Sequence, residues 1–359
     1  MGRITPYSPG KPIEEVQREL GLSRIVKLAS NESPLGPSPL ALEAMRAAVE
    51  AVRLYPNNLA HDLTVALAEQ LDQPAERVFV GRGSDEVIHM TGLAFVNPGD
   101  EIVFADPPFA LYPLTAHLMD ATEVRIPLRD YVHDLDAMAD AITDKTKLIF
   151  IANPHNPTGT MVTADELQGF INALPEHAIA CIDEAYYEYV MRDDYPRSLR
   201  WVDEGRNVIV YRTFSKIYAL AGLRVGYGIV PDHLRDAMAQ VRPPFNVSTV
   251  AQDAAVASLA DADQVPRGRA ANRSGIDYLM SEFERLGLSG PASQANFVFV
   301  DTGRDSQELF DALLRRGYIV RTGDIFGLST HIRVSVGTDE DNRGFIEALE
   351  QALKEVAPA

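Results

Sequence analysis

Short apolar stretches alternate with longer amphipathic segments from about residue 77 of the chain onwards. The short stretches are rich in β-branched residues, and the longer segments carry apolar residues at helical spacing. This alternation is typical of an α/β fold in which helices cover a mostly parallel sheet. The predicted strands occupy residues 77–80, 101–105, 147–152, 178–182, 208–211 and 224–230. The predicted helices between them occupy residues 85–95, 111–118 and 164–174.

The pattern changes after Pro243 and Pro244, where a long polar helical stretch is followed by shorter elements. We interpret this part as a smaller α+β domain, because strands and helices no longer alternate regularly. Its predicted helices occupy residues 265–286, 307–316 and 338–356, and its predicted strands occupy residues 296–300, 318–321 and 332–336.

Six prolines in the first 40 residues favour extended or turn-like backbone. We expect most of this segment to form an arm that lies over another surface. The predicted division of the chain is an N-terminal arm or small-domain segment at residues 1–40, a large domain at residues 41–244 and a small C-terminal domain at residues 245–359.

The charge of the chain argues against two classes of partner. There are 33 Lys and Arg residues against 51 Asp and Glu residues, which gives a formal net charge of −18. Nucleic-acid binders and polybasic membrane anchors both need a cationic surface, so we expect neither nucleic acid nor a membrane as a partner. The single cysteine, Cys181, cannot form an internal disulfide, and no uncharged apolar stretch reaches the ~20 residues of a membrane span. These features predict a cytoplasmic protein.

Five polar clusters follow predicted strands, and ligands of open α/β sheets bind at the carboxyl ends of strands. Lys216 lies in the most informative cluster, after the hydroxyl residues Thr213 and Ser215, and Arg224 follows eight residues later. This arrangement resembles an attachment site for pyridoxal phosphate. A solvated amine with a pKa of ~10.4 stays protonated, so a lysine that reacts with an aldehyde must lose water or be covalently engaged. A solvated surface lysine is the alternative.

A carboxylate and a phenol follow the predicted strand at residues 178–182. Asp183 is expected to be buried, which is costly unless the carboxylate meets a cation such as a protonated pyridine nitrogen. Tyr186, and an asparagine amide of the turn at residues 153–159, could donate hydrogen bonds to the phenolate oxygen of the same ring. An ordinary helix cap and an ordinary Asn-Pro turn are the alternatives.

A helix predicted to begin near Ser84 follows two glycines. Its first N–H groups and the Ser84 hydroxyl would form a cradle for a phosphate dianion, which Ser215 and Arg224 could complete. The segment matches neither the dinucleotide-binding nor the Walker motif. Phe109 could stack on a flat ring or belong to the core. The eight histidines are widely spaced, so no metal site is predicted.

Together these clusters resemble the class I and II pyridoxal-phosphate-dependent aminotransferases, which have fold type I. The resemblance runs from residues 6–12 through residues 28–38 to residues 331–338, and it is strongest to the histidinol-phosphate aminotransferases. It implies a large cofactor-binding domain with a mostly parallel seven-stranded sheet covered by helices, and a smaller α+β domain. It also implies a homodimer with shared active sites.

The resemblance implies a role for each matching residue around pyridoxal phosphate. Lys216 would bind the cofactor covalently, Asp183 would meet the pyridine nitrogen, and Tyr186 with Asn156 would contact the phenolate oxygen. Phe109 would stack on the ring. The phosphate would be held by Ser84, Asp85, Thr213, Ser215, Arg224 and, from the neighbouring subunit, Tyr55.

The resemblance also implies the small-molecule substrates. Arg333 would bind the substrate carboxylate, Arg321 and Tyr7 would contact a distal phosphate, and Asn31 and Gly36 belong to a loop near the substrate. The implied reaction converts L-histidinol phosphate and 2-oxoglutarate to imidazole acetol phosphate and L-glutamate, a step of histidine biosynthesis. The alternatives are an aromatic aminotransferase acting on phenylalanine or tyrosine, and a lyase similar to threonine-phosphate decarboxylase.

Overall fold

A computed structural model of the protein describes residues 13–359. Within these residues the strands fall into three sheets. In chain order the strands are β1 Val26–Lys27, β2 Val78–Gly81, β3 Glu101–Asp106, β4 Thr122–Pro127, β5 Thr146–Ala152, β6 Ile179–Asp183, β7 Val208–Thr213, β8 Gly226–Ile229, β9 Phe297–Asp301, β10 Tyr318–Ile319, β11 Arg321–Thr322 and β12 His331–Ser335.

Helices connect most of these strands, and within residues 13–359 no helix is long and apolar enough to cross a membrane. In chain order the α-helices are α1 Ile13–Leu20, α2 Pro39–Ala48, α3 His61–Leu71, α4 Ser84–Phe95, α5 Leu111–Leu118, α6 Leu135–Asp140, α7 Ala164–Ala173, α8 Leu199–Asp203, α9 Arg235–Gln240, α10 Thr249–Ala260, α11 Gln264–Arg285, α12 Ser306–Leu314 and α13 Asp339–Glu355. Short 3-10 helices occupy Val49–Ala51, Ala75–Arg77, Tyr187–Tyr189, Ala221–Leu223, Asp232–Leu234 and Asp324–Phe326.

The largest sheet has seven strands in the order β2-β8-β7-β6-β5-β3-β4. Strands β3 to β7 are parallel to one another, whereas β8 pairs antiparallel with both β7 and β2. The prediction of a mostly parallel, seven-stranded sheet is therefore confirmed. Because five neighbouring strands run in the same direction, their carboxyl ends lie along one edge of the sheet.

Both faces of this sheet are buried, which explains the continuous apolar runs in its strands. In β5, Ile149 and Ile151 pack in a cluster on one face, whereas Leu148 and Phe150 pack in a second cluster on the other face. Helices supply the rest of both clusters, as the alternating pattern predicts. The covered sheet gives the strand ends a rigid base.

The edge strand β4 is the strand of this sheet that the apolar pattern does not predict. Its sequence mixes polar and apolar residues, and none of them is fully buried. A strand that pairs on one side only does not need a continuous apolar sequence. The predicted strand at residues 224–230 is also shorter in the structure, because Arg224 has a left-handed backbone with φ of 52°.

The remaining strands form two small sheets. Strands β11, β12 and β9 are antiparallel neighbours, and β1 pairs parallel with β10. The predicted strand at residues 318–321 is therefore two strands in two different sheets. Residues of β1, β9, β12 and helices α11 to α13 share one hydrophobic cluster, so the N-terminal segment packs with the C-terminal part of the chain.

Helix α10 follows the predicted boundary at residue 244 but packs against α2 and α3. Its buried residues Ala251, Ala254 and Ala255 belong to a cluster of the large sheet. Ile276 is the first residue of α11 that belongs to the hydrophobic cluster around the small sheets. The division of the chain into domains stays a prediction.

Candidate active site

A cavity of about 270 Å³ lies at the carboxyl ends of the parallel strands. The loops after β3, β5, β6 and β7 each contribute lining residues, as do the start of α4 and strand β12. The structure therefore brings together side chains that are far apart in sequence. The predicted site residues that line the cavity are Asn31, Ser84, Asp85, Phe109, Asn156, Asp183, Tyr186, Thr213, Ser215, Lys216, Arg224 and Arg333.

Lys216 follows β7 by three residues and is partly buried in the cavity wall. Its Nζ donates a hydrogen bond to the Ser30 carbonyl oxygen at 3.2 Å. Burial, reinforced by the nearby Arg333 guanidinium, lowers the pKa of Lys216 to about 8. About a tenth of this amine is therefore uncharged at pH 7, far more than for a solvated lysine, and can act as a nucleophile.

Asp183 is the last residue of β6, and its carboxylate is buried. Oδ2 accepts a hydrogen bond from the Tyr112 hydroxyl at 2.9 Å, and Oδ1 accepts one from the Ala185 N–H at 3.1 Å. Burial raises the pKa of Asp183 to about 6, and the Tyr112 hydrogen bond limits that rise. A cation at this carboxylate would stabilise its ionised form.

Tyr112 lines the cavity and contacts Asp183, but the sequence patterns do not single it out. Its ring stacks on Phe150 with centroids 4.4 Å apart, and its buried hydroxyl points to Asp183. The segment after β3 is recognisable as a polar cluster, but a tyrosine there is equally compatible with a place in the core. Ser30 and Glu32 also line the cavity without having been predicted.

The start of α4 forms one end of the cavity. Ser84 is the first residue of this helix, so the helix presents backbone N–H groups there. The Arg224 guanidinium donates to Ser215 Oγ at 3.3 Å and to Asp85 Oδ2 at 2.8 Å, and Thr213 Oγ1 accepts from the Ser215 N–H at 3.1 Å. A helix N-terminus, hydroxyl groups and a guanidinium are a donor set that suits a phosphate dianion.

Glycines allow the backbone to close tightly around this cradle. A Cβ atom on Gly226 would lie 2.3 Å from the Ser84 nitrogen, and a Cβ atom on Gly83 would lie 2.7 Å from Arg224 Nη2. Gly83 also has a φ of 77°, which favours glycine. The close approach of β8 to the start of α4 is therefore possible only without these side chains.

Hydrogen bonds connect Asn31, in the loop after β1, with strand β12 and with Tyr186 at the cavity wall. Asn31 Nδ2 donates to the Tyr186 hydroxyl oxygen at 2.9 Å, and the Ser335 hydroxyl donates to Asn31 Oδ1 at 2.8 Å. Arg333 donates to Asn156 Oδ1, which leaves the amide nitrogen of Asn156 as its donor group. Burial raises the pKa of Tyr186 to about 12, so its hydroxyl is protonated and can donate.

Four predicted site residues do not line this cavity in the structure. Tyr55 is 82% exposed and stacks on Phe245 with centroids 4.8 Å apart. Gly36 lies in the loop before α2, and Arg321 lies in β11 directly opposite Arg333. Tyr7 lies outside the described residues. These four assignments stay predictions.

Comparisons with known proteins agree with this geometry. The family model described as aminotransferase class I and II matches residues 23–349. A histidinol-phosphate aminotransferase of Moorella thermoacetica is 52% identical over 98% of this chain and 91% of its own length. Histidinol-phosphate aminotransferase 1 of Nitrosococcus oceani is 45% identical over 98% of this chain and 95% of its own length.

A solved structure gives the same result at the level of the fold. The histidinol-phosphate aminotransferase of Sinorhizobium meliloti, in complex with pyridoxal-5'-phosphate, superposes with a TM-score of 0.91 and 29% identity, covering 99% of this chain and 98% of that one. The predicted fold type I architecture is thereby confirmed. The chain belongs to the class I and II aminotransferase family.

Proposed function

We propose that the protein is a pyridoxal-phosphate-dependent aminotransferase of histidine biosynthesis that transfers the amino group of L-histidinol phosphate to 2-oxoglutarate. The observation that carries this proposal is that Lys216 and Asp183 line one cavity whose end is an anion cradle. Two relatives covering nearly the whole chain are named histidinol-phosphate aminotransferases, which supports this substrate. The expected products are imidazole acetol phosphate and L-glutamate.

Different residues of the cavity have different proposed roles in the reaction. When bound, pyridoxal phosphate supplies an aldehyde that condenses with amines and a ring that withdraws electrons from the substrate α-carbon. Lys216 Nζ would hold the aldehyde group of the cofactor and, as a free amine, would be the base that accepts the proton of the substrate α-carbon. The Asp183 carboxylate would keep the pyridine nitrogen protonated, and Tyr186 and Asn156 would donate to the phenolate oxygen.

The cradle at the start of α4 suits the phosphate of this cofactor. Ser84, Thr213 and Ser215 offer hydroxyl groups, and Arg224 offers a charged donor. The Asp85 carboxylate, which accepts from Arg224, would fix the guanidinium in place. Phe109 also lines the cavity, and its ring is edge-to-face with that of Tyr112, with centroids 5.6 Å apart. It would stack on the pyridoxal ring.

Two arginines can explain the choice of an anionic substrate. Arg321 and Arg333 are direct partners in the β11–β12 ladder, so their side chains leave the sheet on the same face as neighbours. Two adjacent guanidinium groups match a phosphate ester or a carboxylate well. The same pair could therefore serve histidinol phosphate and glutamate in turn. Tyr7, Asn31 and Gly36 complete the proposed substrate site.

A cytoplasmic homodimer is part of the same proposal. The segment before α3 exposes several large apolar side chains, and the exposed Phe245 stacks on one of them, Tyr55. Such a patch on a soluble protein marks an interaction surface, and a second copy of the chain would cover it. Tyr55 would then reach the cofactor phosphate of the partner. The exposed residues are Val49, Val52, Leu54, Tyr55, Leu59 and Phe245.

Replacement of Lys216 tests the proposal directly. Purified wild-type protein is expected to show the visible absorption band of bound pyridoxal phosphate, and borohydride should fix the cofactor to the peptide that contains Lys216. Lys216→Ala should lose the band and the transfer of the amino group from histidinol phosphate. Lys354→Ala, which changes a lysine that is 73% exposed, should keep both. An unchanged band and turnover in Lys216→Ala would contradict the proposal.

An aromatic aminotransferase is the second candidate, because phenyl rings surround the proposed anion site. The Arg333 guanidinium carbon lies 5.3 Å from the Phe297 ring centroid and 5.8 Å from that of Phe326. Comparison of kcat/KM for histidinol phosphate and phenylalanine separates the two candidates, and a large preference for phenylalanine would favour the second. Release of carbon dioxide from a carboxylated substrate would instead identify a lyase.

A further inference from the structure

The imidazole of His155 connects two loops that carry cavity residues. The side chain is buried, with 1% exposure. Nε2 lies 3.2 Å from the Pro107 carbonyl oxygen, and Nδ1 lies 2.9 Å from Thr158 Oγ1. Pro107 precedes Phe109 in the loop after β3, and His155 itself precedes Asn156 in the turn after β5. One ring therefore bonds to both loops.

The partners of the ring determine its tautomer. A carbonyl oxygen can only accept a hydrogen bond, so Nε2 must carry a hydrogen. Nδ1 of a neutral ring then accepts from the Thr158 hydroxyl. Burial holds the pKa of His155 well below its ordinary value, and the neighbouring His133 lowers it further, so the ring is neutral. The Nε2–H group is therefore the donor that reaches the second loop.

Both loops that this bond joins contribute to the wall of the cavity. Phe109 lines the cavity from the loop after β3, and Asn156 lines it from the turn after β5. Pro107 is buried, so bulk water cannot replace the His155 hydrogen bond to its carbonyl oxygen, and loss of that bond has a cost in free energy. Loss of the bond would favour a different separation of the two loops.

We propose that His155 is a positioning residue whose Nε2–H bond to Pro107 holds the loop that carries Phe109 against the turn that carries Asn156, and with them two of the side chains that would contact the pyridoxal ring. This inference rests on the proposed function, because it assigns the cavity to that cofactor. His155 does not touch the reacting atoms. Its effect is therefore expected on cofactor affinity rather than on the chemical step itself.

Three substitutions separate the bond between the loops from the bond within the turn. His155→Gln can place an amide N–H where Nε2 lies and so can keep the bond to Pro107. The shorter His155→Asn can keep only the bond to Thr158. His155→Leu fills a similar volume but makes neither bond, and unlike alanine it leaves little room for a replacing water. The measured quantity is the dissociation constant of pyridoxal phosphate from each variant.

We expect His155→Gln to bind pyridoxal phosphate within about threefold of wild type, and His155→Asn and His155→Leu to bind it about tenfold or more weakly. His177→Leu is the control, because the His177 ring also bonds to a backbone carbonyl, that of Thr143 at 3.0 Å, but lies before β6, at the other end of the strands from the cavity. Its dissociation constant should stay near that of wild type. Wild-type affinity in His155→Asn or His155→Leu would overturn the proposal. If the leucine variant does not fold, the comparison of Gln with Asn decides.

A second measurement does not need the cofactor. Nitrogen-15 NMR of histidine-labelled, cofactor-free protein should show His155 as the neutral tautomer with hydrogen on Nε2, and the signal can be assigned by its absence in His155→Gln. Hydrogen on Nδ1 would overturn the bridge between the loops. If the wild-type protein binds no pyridoxal phosphate, the proposed function fails, whereas the tautomer still decides whether His155 joins the loops.

Discussion

Two ionisable side chains of opposite type are both shifted toward their neutral forms in the cavity. Burial raises the pKa of Asp183 to about 6 and lowers that of Lys216 to about 8, because each charge loses its hydration. Pyridoxal phosphate would offset both effects, since its ring nitrogen offers Asp183 a cation and its aldehyde removes the charge of Lys216. The cavity is thus suited to this cofactor before the cofactor binds.

The lowered pKa of Lys216 predicts how fast cofactor-free protein combines with pyridoxal phosphate. Only the uncharged amine attacks the aldehyde, so the rate should rise about tenfold per pH unit below the pKa of about 8 and level off above it. Stopped-flow absorbance over a range of pH measures this rate. A solvated lysine, with its pKa of 10.5, would give a rate that still rises well above pH 9, and that result would contradict the prediction.

The residues at the strand ends could be predicted because sequence position alone determines them. In a parallel sheet, a polar residue just after a buried run lies at the edge where ligands bind, which is why Asp183, Asn156 and Lys216 could be expected to lie near one another, and in the structure all three line one cavity. The role of Tyr112 could not be predicted, because its partner lies 71 residues away and the ring also fits a core position.

At the scale of secondary structure, strands buried on both faces were predictable and partly exposed ones were not. Strands β5 and β7 have continuous apolar sequences, whereas β4 mixes polar and apolar residues and the two-residue strands β10 and β11 are too short to have a pattern. Their pairing depends on distant partners. The resemblance to a family, rather than the apolar pattern, supplied the correct number of strands in the large sheet.

The contact of β8 with the start of α4 predicts the effect of a single methyl group. Gly226→Ala should lower the free energy of unfolding by about 1–3 kcal/mol and weaken cofactor binding, because its Cβ would lie against the Ser84 nitrogen. Urea unfolding and pyridoxal phosphate titration measure the two effects. The control is Gly222→Ala in the same region, where a Cβ meets nothing within 4 Å. Equal stability of the two variants would show that β8 and α4 can separate without cost.

For the whole molecule, Tyr55 is the predicted site residue whose expected role lies in the site of another chain. Tyr55 is exposed on an apolar surface, and no pattern in the sequence shows where its hydroxyl points. Its assignment to a partner's site came from the resemblance alone. A dimer cannot be derived from a single chain's periodicity, because the interface is formed by side chains that look merely exposed.

Mixed dimers test whether two chains share each site. Lys216→Ala and Tyr55→Ala subunits should each have little activity as pure proteins. A dimer that combines them would have one site with both residues intact and one site with neither, so it should recover up to about half of the wild-type activity per dimer. Co-expression with two different tags and measurement of kcat on the doubly purified species gives the answer. No recovery would mean that Tyr55 acts within its own chain, and full activity of the pure Tyr55→Ala protein would mean that Tyr55 has no role in the site.

The parallel pairing of β1 with β10 places an early and a late part of the chain side by side. The Leu28 N–H donates to the Ile319 carbonyl oxygen, and the Asn31 N–H donates to Ser335 Oγ at 2.8 Å. The carbonyl oxygen of the adjacent Ser30 accepts the hydrogen bond from Lys216. On the ribosome the large sheet has all its strands well before residue 335 emerges. The cavity wall around residues 30 and 31 cannot form until translation is nearly complete. A nascent or truncated chain could therefore fold the large sheet and still lack a complete substrate site.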